Sequence, residues 1–94
     1  MHLVYILYSP RLDKYYVGET EDIELRINQH KSNFYKNSYT SKSDDWILKK
    51  TFQVNNKSIA LQIEKHIKRK GNKEYKEKVI DDDGLVQYLI NKFS

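Results

Sequence analysis

Leu3-Val4-Tyr5-Ile6-Leu7-Tyr8 opens the chain, and Tyr15-Tyr16-Val17-Gly18 follows after six residues. The first run is β-branched and aromatic without strict alternation, as expected of a strand covered on both faces. Ser9-Pro10-Arg11-Leu12-Asp13-Lys14 is turn chemistry, and Tyr15 resumes the strand pattern. This predicts an antiparallel hairpin with a six-residue connection, stopped by Gly18. Tyr5 and Tyr16 then lie at the centres of neighbouring strands, where packing holds their rotamers.

Beyond the hairpin, Thr20 can cap a helix whose first turn carries Glu21 and Asp22 at the positive end of the dipole. Ile23, Ile27, His30 and Phe34 recur at helical spacing, so the helix is expected to end near Phe34, with Arg26 bordering its apolar stripe. Residues 35–45 are polar and aperiodic, a basic surface loop. Trp46–Val54 alternates as a third strand, with Trp46, Leu48, Phe52 and Val54 expected on one face. Ser58 can cap a second helix marked by Ile59, Ile63 and Ile67 and broken at Gly71-Asn72. A short charged helix over 73–80 and a last one carrying Leu85, Tyr88, Leu89 and Phe93 complete the chain.

At 94 residues there is room for one domain and one modest core, burying a little over ~60% of the unfolded surface. We expect a single α+β domain over 1–94, with its core at about 3–80 and a C-terminal helix at about 84–93. The absence of cysteine excludes disulfides, thiolate metal sites and a cysteine nucleophile. Its longest apolar run is too short to span a bilayer and lacks signal-peptide features, so a soluble cytoplasmic protein with no membrane partner is expected, a monomer being favoured. The net charge of +4 is unevenly spread: −2 over 1–30, +3 over 31–56, +5 over 57–80 and −2 over 81–94. The basic middle of the chain suits a nucleic-acid partner.

Hydrolysis of a phosphodiester needs a base for the attacking water, positive charge where the oxygens develop charge, and stabilisation of the leaving oxygen. Tyr5 and Tyr16 offer phenols, made better bases by a nearby cation such as Arg26 or Lys14. Arg26 and His30 are one helical turn apart and can face one cleft. Glu64, beside the stripe of Ile63 and Ile67, offers a carboxylate oxygen to a hard cation. Each has an ordinary structural explanation, for Glu64 an i,i+4 pair with Lys68. The stretch Lys65-His66-Lys68-Arg69-Lys70-Lys73 and the region from Lys36 to Lys50 can contact phosphates, and Tyr35 and Tyr39 can stack on bases.

The order Val4-Tyr5-Ile6, Tyr16-Val17-Gly18, Arg26, His30 and Glu64 within Ala60-Leu61-Gln62-Ile63-Glu64-Lys65 resembles the GIY-YIG nuclease family over roughly residues 3–80. The likeness is to small standalone bacterial members related to the excision-repair nuclease domain. It implies a three-stranded antiparallel sheet flanked by helices and single-metal hydrolysis of DNA, with Mg²⁺ or Mn²⁺ on Glu64. It further implies Tyr5 or Tyr16 as the general base, with Tyr5 favoured, Arg26 on the pentacovalent phosphate, and His30 orienting or relaying for a tyrosine. Gly18, Lys36, Tyr39, Lys42, Lys68 and Arg69 are the expected DNA contacts. Three positions depart from the pattern: Val4 stands where the first motif begins with glycine, Glu19 stands where some members carry lysine, and Lys76 stands twelve residues after Glu64, where the family has asparagine. The expected activity is a DNA endonuclease directed by structure rather than sequence and linked to DNA repair. A weak or inactive nucleic-acid-binding domain on the same scaffold is the alternative.

Overall fold

Strand β1 (His2–Ser9) runs down the middle of a three-stranded antiparallel sheet, with β2 (Lys14–Thr20) on one side and β3 (Ile47–Val54) on the other. The computed structural model describes residues 2–31 and 43–94, and of His30 and Lys31 the backbone only. Four helices complete the described chain: α1 (Ile23–Lys31), α2 (Lys57–Lys70), α3 (Lys73–Asp81) and α4 (Asp83–Phe93). This is the expected α+β arrangement, with the C-terminal helix at the expected place.

The unalternating apolar run of β1 is buried on both sides: Val4, Tyr5, Ile6 and Leu7 are all fully covered. Val4 and Ile6 face the helix side of the sheet. There they pack with Val17, Phe52 and Val54 against Ile59, Ala60, Ile63 and Ile67 of α2, and against Val79, Val86 and Leu89 from α3 and α4. Fully burying one isoleucine contributes about 1.5–3 kcal/mol, so the α2 stripe, more than helix propensity, holds that helix on the sheet. Tyr5 and Leu7 face the other side, where Trp46, Leu48 and Tyr16 join them and Ile23 and Ile27 of α1 cover them.

Several local expectations change. Gly18 does not stop β2, which continues to Thr20, and the hairpin connection shortens to residues 10–13, with Asp13 at φ 51°. Aspartate tolerates this left-handed conformation better than most residues. The cap of α1 is the Asp22 side chain, which accepts from the Leu25 N–H at 3.1 Å, while the Thr20 hydroxyl oxygen accepts from the Asp22 N–H. Asn56, not Ser58, caps α2 by accepting from the Ile59 N–H at 3.0 Å. Asx side chains reach an N–H three residues on as well as serine does, and here the chain enters the helix two residues earlier than expected. On α4, Tyr88 is exposed and Val86 takes the core position. The expected end of α1 near Phe34 and the loop over 35–42 lie outside the described residues.

The largest correction concerns β3. Ile6 pairs with Lys50 but Leu7 pairs with Leu48, so Lys49 is an extra residue bulged out of the ladder. One inserted residue reverses which side chains face which side. Trp46 and Leu48 therefore pack with Tyr5 and Leu7, while Phe52 and Val54 pack against α2, and the four do not share a face. Asp45 anchors the approach to this strand. Its carboxylate accepts from the Ser9 hydroxyl at 2.5 Å, from the Ser43 hydroxyl and from the Arg11 N–H at 2.8 Å. Those donors hold its pKa down at about 2, the serine hydroxyls contributing most.

Candidate active site

Strand pairing alone brings the two motif tyrosines onto one face. Leu7 lies opposite Tyr16 and Tyr5 opposite Gly18, so the Tyr5 ring leans across the glycine. A β-carbon at position 18 would lie 2.4 Å from the Tyr5 hydroxyl oxygen and 2.5 Å from its ζ-carbon. The glycine is thus explained by a close approach of a side chain to backbone, independently of any contact with DNA. The Tyr5 and Tyr16 ring centroids are 6.3 Å apart, and Trp46 approaches Tyr16 edge-on at 6.5 Å. Tyr5 is fully buried; Tyr16 is half-buried and borders a cavity of about 580 Å³.

Helix α2 lies on the opposite layer, yet one of its side chains reaches round the outer edge of β2. The Lys68 ammonium stands 5.3 Å from the centre of the Tyr16 ring and 2.7 Å from Glu64 Oε1. The same cation therefore joins the phenol to the carboxylate across the sheet edge. Its i,i+4 spacing from Glu64 announced half of this contact; the half on Tyr16 needed the fold.

Arg26 is half-buried on α1 between Ile23 and Ile27, the two residues that seat that helix over Tyr5 and Leu7. It thus belongs to the helix covering the tyrosine face. His30 follows one turn later on the backbone of α1, and its side chain lies outside the description. Lys36, Tyr39 and Lys42 lie outside the described residues. Arg69 is exposed near the C-terminal end of α2.

Glu19 does not oppose the phenols. It pairs with Val4 and so points to the helix side, where it hydrogen-bonds the buried His2 imidazole. An anion one residue after Gly18 is thereby kept on the far face by strand alternation. Two further tyrosines also face that side. The Tyr8 hydroxyl donates to Asp13 at 2.6 Å and the Tyr15 hydroxyl to Glu77 at 3.1 Å. The hydrogen bond to Asp13 pushes the Tyr8 phenol pKa up, and burial together with Glu77 does the same to Tyr15, so both stay protonated.

Among the described residues no three His, Cys, Asp or Glu side chains converge as a metal cage. A hard divalent cation that keeps several waters and takes phosphate oxygens needs only one or two carboxylates. Glu64 fits that role: its side chain is 15% exposed, and it already holds a cation, the Lys68 ammonium, on Oε1.

With this geometry in place, comparison adds the class. The family model described as the GIY-YIG catalytic domain matches residues 1–78, that is, everything from β1 into α3. The chain belongs to the GIY-YIG family, whose domains are of nuclease type and act on DNA. Comparison with curated proteins and with solved structures gave no match. None of the helices among the described residues is long and apolar enough to cross a membrane.

Proposed function

We propose that the protein is a metal-dependent endonuclease that hydrolyses DNA phosphodiester bonds, selecting its substrate by structure rather than sequence and serving in DNA repair. The observation that carries this reading is the single lysine linking Tyr16 to Glu64, which puts a phenol, a cation and a carboxylate at one edge of the tyrosine face.

In this reading Tyr16, rather than Tyr5, takes the proton of the attacking water, because Tyr16 borders the open cavity whereas Tyr5 is enclosed. The Lys68 charge beside the Tyr16 ring favours the phenolate, which the ordinary phenol pKa near ~10 otherwise disfavours at neutral pH. Tyr5 fixes the Tyr16 ring and the face on which the strand lies. Arg26 places its planar donors on the non-bridging oxygens, keeping its charge at every working pH, and His30 orients a tyrosine hydroxyl or relays its proton. Glu64 would hold Mg²⁺ or Mn²⁺ once Lys68 releases its carboxylate while staying beside the Tyr16 ring, and the bound ion would supply positive charge for the phosphate and the leaving oxygen. Lysines around the edge hold phosphates, contacts that position a strand without reading its bases.

Incubating supercoiled plasmid with Mg²⁺ or Mn²⁺ tests the proposal directly. Nicked and linear DNA are expected from the wild-type protein and a loss of at least ~100-fold from Glu64→Gln, since removing a preorganised charge at the reacting centre costs this much. Wild-type protein that is folded and leaves every DNA form intact would end the nuclease assignment.

A further inference from the structure

The cavity that Tyr16 and Lys68 border continues along the turn-side half of β2 to the link from α2 to α3. Its volume of about 580 Å³ is within the range of ligand sites and well beyond what one water cluster needs. Four lysines line it: Lys14 at the start of β2, Lys68 on α2, and Lys73 and Lys76 on α3. Against them stands one carboxylate, Asp13, and Lys73 already holds it at 2.8 and 3.0 Å. Lys68 is engaged by Glu64. Neither Lys14 nor Lys76 has a carboxylate within ion-pair distance among the described residues.

Lys76 is the telling member. It is half-buried, and burial together with the nearby Lys14 charge pushes its ammonium below the ordinary lysine pKa. Holding two like charges on one partly enclosed wall is unfavourable unless an anion enters between them. The chain conformation serves the same end. Gly71 turns at φ 73°, open to a residue without a side chain, and Asn72 then caps α3, so Lys73 and Lys76 stand on the first turns of a helix that begins at the cavity.

We infer that this cavity is a second phosphate subsite, in which Lys14 and Lys76 hold a backbone phosphate of the nucleic-acid strand that flanks the scissile one, with the Asp13–Lys73 pair fixing the wall behind them. The inference rests on the proposed nuclease function, because the cavity opens beside Tyr16 and a strand on the tyrosine face can continue over the β2 edge into it. Lys14 and Lys76 are not adjacent in sequence, and only the packing of α3 on β2 brings them to one place.

The test separates binding from cutting by using the full chain carrying Glu64→Gln and short fluorescein-labelled DNA, with anisotropy read across a NaCl series. Lys14→Met and Lys76→Met are each expected to weaken binding roughly five- to tenfold at low salt. Each should reduce the salt slope by about 0.7–0.9, the contribution of one phosphate contact. Lys92→Met on α4 serves as a surface control and is expected to change neither. A single uncharged methylphosphonate at the flanking position should reproduce the loss and make Lys76→Met silent. Folded Lys14 and Lys76 variants that bind like their parent would overturn the subsite while leaving the nuclease reading intact. Inorganic phosphate bound in the cavity and not displaced by DNA would overturn its assignment to a nucleic-acid backbone. Intact plasmid in the separate cleavage assay, with DNA binding unchanged, would remove the nuclease reading alone.

Discussion

The Tyr5 ring lies so close over Gly18 that a β-carbon there would come within 2.4 Å of the phenolic oxygen and 2.9 Å of a ring carbon. Tyr5 has no exposed side into which to retreat, being fully buried among Leu7, Trp46 and the residues around them. Gly18→Ala is therefore expected to cost about 1–3 kcal/mol in urea unfolding, the range for forcing extra atoms into a packed interior. In a Tyr5→Ala background the same change should cost far less. Equal costs in both backgrounds would show that the glycine serves something other than this ring.

Lys68 occupies the carboxylate that the proposed metal requires, so the two cations compete for Glu64. Replacing Lys68 by Met is expected to raise Mn²⁺ affinity about two- to tenfold, from loss of a partly exposed ion pair and of a nearby like charge. The same variant should cut DNA more slowly, because the cation beside Tyr16 is gone. Calorimetric titration with Mn²⁺, using Glu64→Gln as the blank, reads the first effect independently of activity. Unchanged or weaker Mn²⁺ binding would separate Glu64 from the metal.

Acid should destabilise the fold in two separate windows. His66 is half-buried between Tyr75, which it meets at 3.0 Å, and Phe93. Burial lowers its pKa, with the charges of Lys92, Lys70 and Arg69 adding to the effect. A group with a depressed folded pKa contributes stability that is complete above its unfolded value, about 6.5 for histidine, and is lost as pH falls through the folded one. Asp45 follows the same sign at lower pH: its contribution is present above an unfolded pKa of about 3.9 and fades as pH falls through about 2. Thermal melts between pH 8 and pH 2 are expected to show a first decline below about 6.5, removed in His66→Gln, and a second below about 4, reduced in Asp45→Asn, with Asp13, lowered by its hydrogen bonds from Lys73 and Tyr8, contributing to the remainder. Variants whose melting temperatures track the wild type at every pH would contradict these assignments.

Deleting Lys49 should be far more damaging than replacing it. The deletion restores plain alternation and would turn Leu48 and Trp46 away from Tyr5 and Leu7, or force the whole strand to slip. Trp46, now 2% exposed, would meet water, and its fluorescence should shift to the red with loss of cooperative unfolding. Lys49→Ala keeps the bulge and is expected to stay within about 0.5 kcal/mol of wild type, as surface substitutions usually do.

Much of this architecture was written in local pattern. The unalternating run of β1, the isoleucine spacing of α2 and the Gly71-Asn72 break each report a local preference that the packing agrees with, so strands, helices and their order followed from the chain itself. So did the pairing of Tyr5 with the second motif, because a short hairpin leaves few registers, and the i,i+4 reach of Lys68 to Glu64. The faces of β3 could not be foreseen, since a bulge is a tertiary choice that leaves no mark on alternation: Phe52 and Val54 went to α2 while Trp46 and Leu48 went to the tyrosines. The fate of Glu19 likewise depended on which side of the sheet α2 would cover. That Lys68 crosses the sheet edge to Tyr16, and that Lys14 meets Lys76 around one cavity, were decided by the docking of α2 and α3 on β2 alone. Charges far apart in sequence acquire a common field only when packing sets the distance between them.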